Sequence, residues 1–201
     1  MKVTVIDYKA GNLTSVLKAL QHLGAEPVVT DSDLSLIERA ERIVLPGVGH
    51  FAATERLDST GMTGAIRDAV KRGVPFLGIC VGMQWLYAGS TEAPEQAGLS
   101  FFDERCSRFP EGGEKVPHVG WNSLEVKGLP RLFSGVRDGE YVYFTHSYRA
   151  PVSEDTSAKA NYIEPFAAAV ERGNVMGVQF HPEKSGEAGL KILRSFLEWR
   201  C

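Results

Sequence analysis

The sequence predicts an α/β fold, in which a doubly wound, mostly parallel sheet carries helices on both faces and an antiparallel extension in its C-terminal half. In the first half, short apolar runs alternate with amphipathic segments, which is the pattern of βα units. The predicted strand 42–45 is almost entirely apolar, as expected of a parallel strand buried on both faces. Beyond Tyr87, short alternating runs separated by glycines predict antiparallel strands. The length of 201 residues suits a single domain, 1–201.

The first half of the chain predicts a series of strands that each lead into a turn or a helix. Strand patterns occur at 1–7, 26–30, 42–45 and 75–80. Between them, apolar residues recur at helical spacing in 13–23, 36–40 and 65–70. Gly24 is placed to end the first helix, and residues 31–33 offer N-caps to the second. Because parallel strands are joined by right-handed crossovers, these units predict helices on both faces of the sheet.

The second half has a different character. Residues 88–98 are polar and predict a loop. Candidate antiparallel strands follow at 106–109, 123–126, 141–144 and 147–150, with glycine turns at 112–113, 128 and 139. A hairpin is predicted from 167–171 and 175–179, closed by 172–174. The last segment predicts a helix that begins at 185 or 186 and presents an apolar stripe of Leu190, Leu193, Phe196 and Leu197.

The composition excludes several functional classes. The chain has 22 basic and 25 acidic residues, a net charge of −3, and no basic run, so we expect no nucleic-acid partner. Its three cysteines, Cys80, Cys106 and Cys201, form neither a disulfide framework nor a metal-binding pair. No apolar run reaches the length of a membrane span, and no signal-peptide pattern opens the sequence. We therefore expect a cytoplasmic protein without membrane contact, metal or cofactor.

The stretch 78–82, Gly-Ile-Cys-Val-Gly, has the pattern of a nucleophile elbow. It follows an apolar strand and precedes a helical segment. Gly78 and Gly82 would remove side chains where the chain reverses sharply. The N-terminus of the following helix would favour the thiolate of Cys80. A lone cysteine is otherwise more often an inert buried thiol, so this interpretation depends on suitable partners elsewhere in the chain.

His181 and Glu183 supply such partners. A thiolate nucleophile needs a base that moves a proton, and the base needs a third group that fixes its orientation. Residues i and i+2 of an extended segment point to the same side, so Glu183 can bond one imidazole nitrogen while the other faces Cys80. The turn 46–49, Pro-Gly-Val-Gly, also follows a strand, and it offers backbone N–H groups to an oxyanion. Each feature taken alone has an ordinary structural explanation, and the combination is what predicts catalysis.

Two motifs, Gly-Ile-Cys-Val-Gly-Met-Gln at 78–84 and Gln-Phe-His-Pro-Glu at 179–183, resemble the class I (triad) glutamine amidotransferases, which hydrolyse glutamine and pass ammonia to a synthase. Further stretches at 7–13, 46–49, 117–122, 143–148 and 181–185 are similar to the glutaminase subunits of imidazole glycerol phosphate synthases, in histidine biosynthesis. The resemblance covers nearly the whole chain. Lys9 departs from it, because the family usually has glycine in its Asp-Tyr-Gly pattern, and this puts the local backbone of that loop in question.

The resemblance implies a role for each matching position. Cys80 would be the nucleophile, His181 the general acid and base, and Glu183 the residue that orients His181. The oxyanion strand would comprise Gly47, Val48 and Gly49, with the N–H of Val81 as a further donor. The L-glutamine site would be lined by Gln84, His146, Ser147 and Tyr148. A cyclase subunit built as a (β/α)8 barrel, which makes imidazole glycerol phosphate and AICAR, would complete a heterodimer and would face Trp121, Asn122, Tyr143 and Lys184.

Two alternatives remain open. Amidotransferases that serve pyridoxal phosphate, purine or anthranilate synthesis share the Cys-His-Glu core, and the stretches 117–122 and 143–148 argue against them. The fold also occurs in proteins without glutaminase activity, in which Cys80 would be a redox sensor or an inert thiol and the chain a binding module.

Overall fold

The computed structural model describes residues 1–11 and 13–199. Asn12, part of the 7–13 motif, and Cys201 lie outside the described residues. The described helices are α1 (Thr14–His22), α2 (Leu34–Glu38), α3 (Glu55–Ser59), α4 (Met62–Lys71), α5 (Val81–Gln84) and α6 (Gly186–Leu197). The described strands are β1 (Lys2–Ile6), β2 (Glu26–Thr30), β3 (Ile43–Gly47), β4 (Phe76–Cys80), β5 (Tyr87–Ser90), β6 (Ala93–Ala97), β7 (Phe102–Arg108), β8 (His118–Ser123), β9 (Glu125–Val126), β10 (Tyr141–His146), β11 (Tyr148–Arg149), β12 (Thr156–Tyr162), β13 (Glu164–Arg172) and β14 (Val175–Val178).

The described part of the chain forms an eight-stranded central sheet in the order β2-β1-β3-β4-β14-β13-β12-β9. The pairs from β2 through β14 are parallel, and those from β14 through β9 are antiparallel. The predicted mostly parallel sheet with an antiparallel extension is therefore confirmed. Strands β3 and β4 are buried at every position, which explains their apolar sequences.

The helices form two groups because the strand order reverses after β2. The chain moves from β1 to β2 in one direction and then from β2 through β3 to β4 in the other. Right-handed crossovers then place α1 on one face and α2 and α4 on the opposite face. Helix α2 contacts α4, whereas α1 and α6 both contact the 3₁₀ turn Pro182–Lys184. The carboxyl ends of β3, β4 and β14 consequently meet at one edge, between the two layers of helices.

Several boundaries in the second half were predicted incorrectly. Residues 88–98 do not form a loop but contain most of β5 and all of β6, because β5 pairs with both β6 and β7. Strand β12 was missed, and it pairs with β13 and β9 in the central sheet. The candidate strand 123–126 is divided by Leu124 between β8 and β9. The predicted hairpin is confirmed as β13 and β14, which pair antiparallel around Gly173.

Strands β8 and β10 form a separate antiparallel ribbon, in which Tyr143 faces Trp121 and His146 faces His118. Alternation divides its side chains between two faces. One face carries Trp121 and Tyr143, and the other carries Asn122, His118 and His146. This β8–β10 ribbon contains several of the residues predicted for the substrate site and for the partner interface.

The loop after β1 accommodates Lys9 where the family usually has glycine. Lys9 has a φ of 63°, in the left-handed region that glycine enters without strain. Its ammonium group lies 3.0 Å from Asp7 and 2.9 Å from Asp31. The loop therefore keeps a glycine-like backbone conformation, with the lysine held by two carboxylates at the surface.

Candidate active site

Cys80 lies at the end of β4 on a sharp strand-to-helix turn, as the motif predicts. Its φ of 55° and ψ of −108° are strained for a residue with a side chain. Both flanking glycines are required because neighbouring backbone atoms lie too close to leave room for a Cβ atom. A Cβ at Gly78 would lie 2.4 Å from the carbonyl oxygen of Gly82, and a Cβ at Gly82 would lie 1.9 Å from the carbonyl oxygen of Leu45. The predicted elbow is thus present, with its sulfur-bearing residue only 4% exposed.

The predicted helical segment after Cys80 is short. Helix α5 contains only Val81–Gln84, a single turn, so its aligned dipoles cannot sum to a long macrodipole. Val81 is its first residue, and the N–H at that position has no partner within the helix. The single turn therefore does not provide the long helix dipole that the motif predicts beside the sulfur.

His181 and Glu183 reach the elbow because β14 pairs with β4 in parallel register. Val178 faces Ile79, so the residues after β14 run beside Cys80. His181 Nδ1 lies 2.9 Å from Glu183 Oε1, and both side chains are buried. The contact does not arise from an extended segment as predicted, since Glu183 lies in the 3₁₀ turn Pro182–Lys184. That turn folds the carboxylate back onto the ring.

The His181 imidazole is held in its protonated form. Burial alone would lower its pKa, but Cys80 and Glu183 outweigh burial and raise the pKa to about 9. Its Nε2 atom is buried and has no hydrogen-bond partner among the described residues. At neutral pH the ring is thus an imidazolium beside a sulfur, an arrangement that suits both stabilisation of a thiolate and delivery of a proton.

A pocket of about 230 Å³ opens over Cys80. The predicted site residues that line it, together with Cys80, are Val48, Gly49, Val81, Gln84, His146, Ser147 and Tyr148. Gly47 does not line it, because Gly47 lies beneath Tyr8, whose hydroxyl would be 1.9 Å from a Cβ at that position. The structure therefore brings the predicted nucleophile and the predicted substrate residues around a single small cavity.

Sequence reasoning missed Glu92 in this pocket. Glu92 follows β5, and its Oε2 accepts a hydrogen bond of 2.8 Å from the N–H of Phe51. The residue belongs to the stretch interpreted as a polar loop, and its position in the pocket depends on the pairing of β5 with β7. No local signal distinguishes Glu92 from the surrounding polar residues.

The predicted oxyanion strand has its key donor turned away from the pocket. The N–H of Val48 donates to the carbonyl oxygen of Ala10 at 2.9 Å. Gly49, which follows Val48, has a φ of 110°, a positive value that glycine adopts without strain. In this state the peptide between Gly47 and Val48 contributes no donor to an oxyanion at Cys80.

Gln84 is oriented by protein groups. Its Nε2 donates to the carbonyl oxygen of Tyr148 at 2.9 Å and to Gln179 Oε1 at 3.0 Å. Both amide hydrogens are thereby engaged, and its oxygen is the atom left for a ligand in the pocket. Gln179 in turn lies 3.6 Å from the Cys80 sulfur through its Nε2. The sequence drew attention to Gln179 only as part of a motif.

His146 belongs to a second hydrogen-bonded chain. Its Nδ1–H donates to the carbonyl of Tyr148 at 2.9 Å, because a carbonyl only accepts. Its Nε2 therefore accepts from His118 Nδ1–H, at 3.1 Å. Burial lowers the pKa of His118 to about 4 and that of His146 to about 3, so both rings are neutral. The pocket thus contains a fixed neutral histidine.

The predicted partner-interface residues divide between two faces. Trp121 is 55% exposed and contacts Tyr143 edge-on, with ring centroids 6.1 Å apart. Lys184 lies over Tyr143, with its ammonium 5.8 Å from the ring centroid. Asn122 is on the opposite face of the β8–β10 ribbon and donates to the carbonyl of Asn161 at 2.8 Å. The structure therefore groups Trp121, Tyr143 and Lys184 and separates Asn122 from them.

Fold, elbow and pocket together define a domain suited to acyl transfer through a cysteine. A family model described as "Glutamine amidotransferase class-I" matches residues 4–199. The chain therefore belongs to the class-I glutamine amidotransferase family. Among solved structures it is similar to "Crystal structure of glutamine amidotransferase", with a TM-score of 0.76, 22% identity and coverage of 98% of this chain and 97% of that chain. The structure of PurLQS from Thermotoga maritima has a TM-score of 0.75 and 21% identity over 98% of this chain and 97% of that chain, a likeness of fold.

Curated relatives with higher sequence identity to the chain share one name. The chain is 44% identical over 200 residues to "Imidazole glycerol phosphate synthase subunit HisH" of Methanosarcina acetivorans, covering 98% of each chain. It is 46% identical to the protein of the same name from Methanopyrus kandleri, again covering 98% of each chain. The corresponding protein of Aquifex aeolicus is 43% identical, with coverage of 98% of this chain and 96% of that one.

Residues 1–11 and 13–199 contain no cluster of three or more His, Cys, Asp or Glu side chains arranged to hold a metal ion. No helix in the same part of the chain is long and apolar enough to cross a membrane. Cys80 and Cys106 are free thiols and both are buried.

Proposed function

We propose that this chain is the glutaminase subunit of an imidazole glycerol phosphate synthase, which hydrolyses L-glutamine to glutamate and ammonia for a cyclase subunit in histidine biosynthesis. The observation that carries the proposal is the grouping of three residues at the carboxyl edge of the sheet. Cys80 lines the small pocket, Cys80 and Glu183 together raise the pKa of His181, and Glu183 is hydrogen-bonded to His181. Full-length identity of 43–46% to proteins named as HisH subunits supports the choice of synthase. It argues against the pyridoxal phosphate, purine and anthranilate alternatives.

The site supports a two-step hydrolysis. The Cys80 thiolate attacks the side-chain amide carbon of glutamine and forms a tetrahedral adduct. The His181 imidazolium gives its proton to the departing nitrogen, so that ammonia leaves and a thioester remains. Neutral His181 then takes a proton from water as the water attacks the thioester. The carbon–sulfur bond breaks, glutamate leaves, and the thiolate and imidazolium are restored.

The pocket offers groups of suitable charge for the amino-acid end of the substrate. Glu92 is a carboxylate that can bind the α-ammonium group, and the Gln84 oxygen is a second acceptor. Ser147 lines the same cavity and offers a hydroxyl to the α-carboxylate. Neutral His146 is held in position by the Tyr148 carbonyl and does not compete with His181 for a proton.

The resting direction of the Val48 N–H supports a proposal that the partner activates this chain. The oxyanion strand must rotate one peptide before it can stabilise the adduct, and a partner that binds the rotated state better will shift the population toward it. The exposed group of Trp121, Tyr143 and Lys184 is the surface proposed for the partner, here a (β/α)8-barrel cyclase in a heterodimer. The backbone N–H of His181 donates to the Tyr143 carbonyl at 2.9 Å, which joins that surface directly to the catalytic residue.

We further propose that residues 1–201 form one domain, which the single hydrophobic core cluster of the described residues supports. The cytoplasmic location stays a prediction from the sequence.

The test is glutamate release at saturating glutamine by the chain alone, by the chain with its cyclase, and by the complex with cyclase ligand. We expect a stepwise increase, and transfer of the glutamine amide nitrogen to the cyclase product. Covalent labelling with a glutamine-analogue alkylator should be confined to Cys80. The matched substitutions Cys80→Ser and Cys106→Ser separate the proposed nucleophile from the other described cysteine. Labelling that survives Cys80→Ser, or is lost with Cys106→Ser, contradicts the assignment and favours a binding or redox module.

A further inference from the structure

We infer that Gln179 is a catalytic residue that donates a hydrogen bond to the Cys80 sulfur, with its amide orientation fixed by Gln84. The inference rests on the proposed function, because it assigns a role at the same nucleophile. Gln179 is fully buried, and its Nε2 lies 3.6 Å from the sulfur. This distance is appropriate for an amide N–H that donates to sulfur.

The direction of this hydrogen bond follows from the groups behind it. The Tyr148 carbonyl can only accept, so Gln84 must present its NH₂ group there. The same NH₂ group of Gln84 lies 3.0 Å from one end of the Gln179 side-chain amide, and that end must therefore be the oxygen of Gln179. With its oxygen committed to Gln84, Gln179 has only its NH₂ group to present to Cys80. A reversed Gln179 amide would place two NH₂ groups against each other and an oxygen against the sulfur.

The donor has a distinct purpose from that of His181. His181 loses its positive charge when it protonates the departing nitrogen, so it no longer stabilises negative charge on the sulfur. An amide N–H carries no titratable proton, so its hydrogen bond persists through that transfer and is again available when the thiolate departs from the thioester. Hydrogen bonds to a charged group are stronger than those between neutral groups. Gln179 therefore stabilises the thiolate and fixes one side of the sulfur, which leaves the other side free for the substrate.

The position of Gln179 also explains why Gln84 is buried so close to the nucleophile. Gln179 and Gln84 are distant in sequence, since Gln179 directly follows β14 and Gln84 ends α5. Parallel pairing of β14 with β4 brings them side by side beneath the pocket. Gln84 thus has a positioning role toward Gln179 in addition to its place in the pocket wall.

The experiment measures the rate at which iodoacetamide alkylates Cys80, followed by peptide mass as a function of pH. This probe does not require the glutamine site. In Gln179→Met, the rate at about pH 7 should fall about tenfold to a hundredfold, and it should approach the parent rate at about pH 10, where free thiols are ionised. Gln179→Glu should react at least as slowly at pH 7, because a carboxylate beside the sulfur repels a thiolate. Gln84→Met should produce a smaller fall, since it releases the Gln179 amide without removing it.

Gln179→Met is the decisive variant because methionine fills a similar volume without a charge or an N–H donor. A role confined to filling space would leave Gln179→Met with the parent's rate, and that result overturns the inference. A loss that is equal at every pH also overturns it. Gln21→Met, on the exposed surface of α1, is the matched control and should react as the parent does. Thermal unfolding of each variant identifies any that fail to fold, in which case the remaining substitutions carry the comparison.

The experiment distinguishes a failure of the proposed function from a failure of the role proposed for Gln179. If Cys80 in the parent reacts no faster at about pH 7 than free glutathione does, the proposed nucleophile itself is wrong. If the parent reacts fast and the Gln179 variants match it, the proposed function stands and only the role of Gln179 is refuted.

Discussion

Replacing Val48 by glycine should increase the glutaminase rate of the isolated chain. In the resting state the Val48 N–H is bonded to Ala10, and Val48 does not have a positive φ. Turning the peptide between Gly47 and Val48 toward the pocket breaks that hydrogen bond, at a cost of about 0.5–1.5 kcal/mol. It also carries the φ of Val48 into the left-handed region, which costs a residue with a Cβ about 1–2 kcal/mol.

These two terms set the scale of the expected effect. Together they disfavour the competent peptide by about 1.5–3.5 kcal/mol, so that it is populated roughly once in ten to once in several hundred molecules. Glycine removes only the second term, because a residue without a Cβ enters the left-handed region freely. The rate should therefore rise about 5- to 30-fold.

The assay is kcat for glutamate release at saturating glutamine, without the partner. Val48→Ala is the matched control. It removes the methyl groups that pack against Gly11 but retains the Cβ, so its rate should stay near that of the parent. Equal rates for the parent and Val48→Gly would refute the reasoning, and so would an equal increase in both variants. In the activated complex the gain from Val48→Gly should largely disappear, since the peptide is then already rotated.

Cys80→Ser should lower the rate of glutamine hydrolysis by about 10⁴-fold or more with the fold retained. The loss of rate in Glu183→Gln should be smaller than that in Cys80→Ser by a factor of about ten to a hundred, because orienting a base contributes less than providing the nucleophile. Steady-state rates and circular dichroism check both. Activity should fall above about pH 9 as the His181 imidazolium is lost, and in Glu183→Gln this limb should move to lower pH because the carboxylate no longer supports the protonated ring. An unmoved limb in a pH–rate profile would contradict that account. Glu92→Gln should raise KM for glutamine about tenfold to a hundredfold with little change in kcat, since it removes the charge but keeps an acceptor for Phe51. The stability contributed by neutral, buried His118 and His146 should be complete above their ordinary pKa of 6.5 and should decline as pH falls toward about 4, by at most about 1.4 kcal/mol per pH unit for each ring. Chemical denaturation across that range would show no such contribution if both rings titrated normally.

The sequence alone determined the parallel half of the fold and the catalytic motifs. Apolar periodicity reports which side of a local segment is buried, so β1, β2, β4 and α4 could be placed with small errors at their ends. The elbow was equally accessible, because the glycines that permit the turn at Cys80 lie within two residues of it. The sequence was less informative in the second half, where β5 and β6 are short strands without a clear alternating pattern. They exist because β5 pairs with β7 and with β6.

The tertiary structure decided which groups meet and which way each one points. Glu92 enters the pocket through strand pairing, and Asn122 turns from the proposed partner surface because of its register on the β8–β10 ribbon. The direction of the Val48 N–H depends on a carbonyl in another loop, and the donor at Cys80 depends on Gln179 at the end of a strand far along the chain. Local sequence fixes the backbone's preferred conformations and its buried side, but a hydrogen bond between distant segments forms only after packing has brought its donor and acceptor together, so its direction is not encoded in either segment alone.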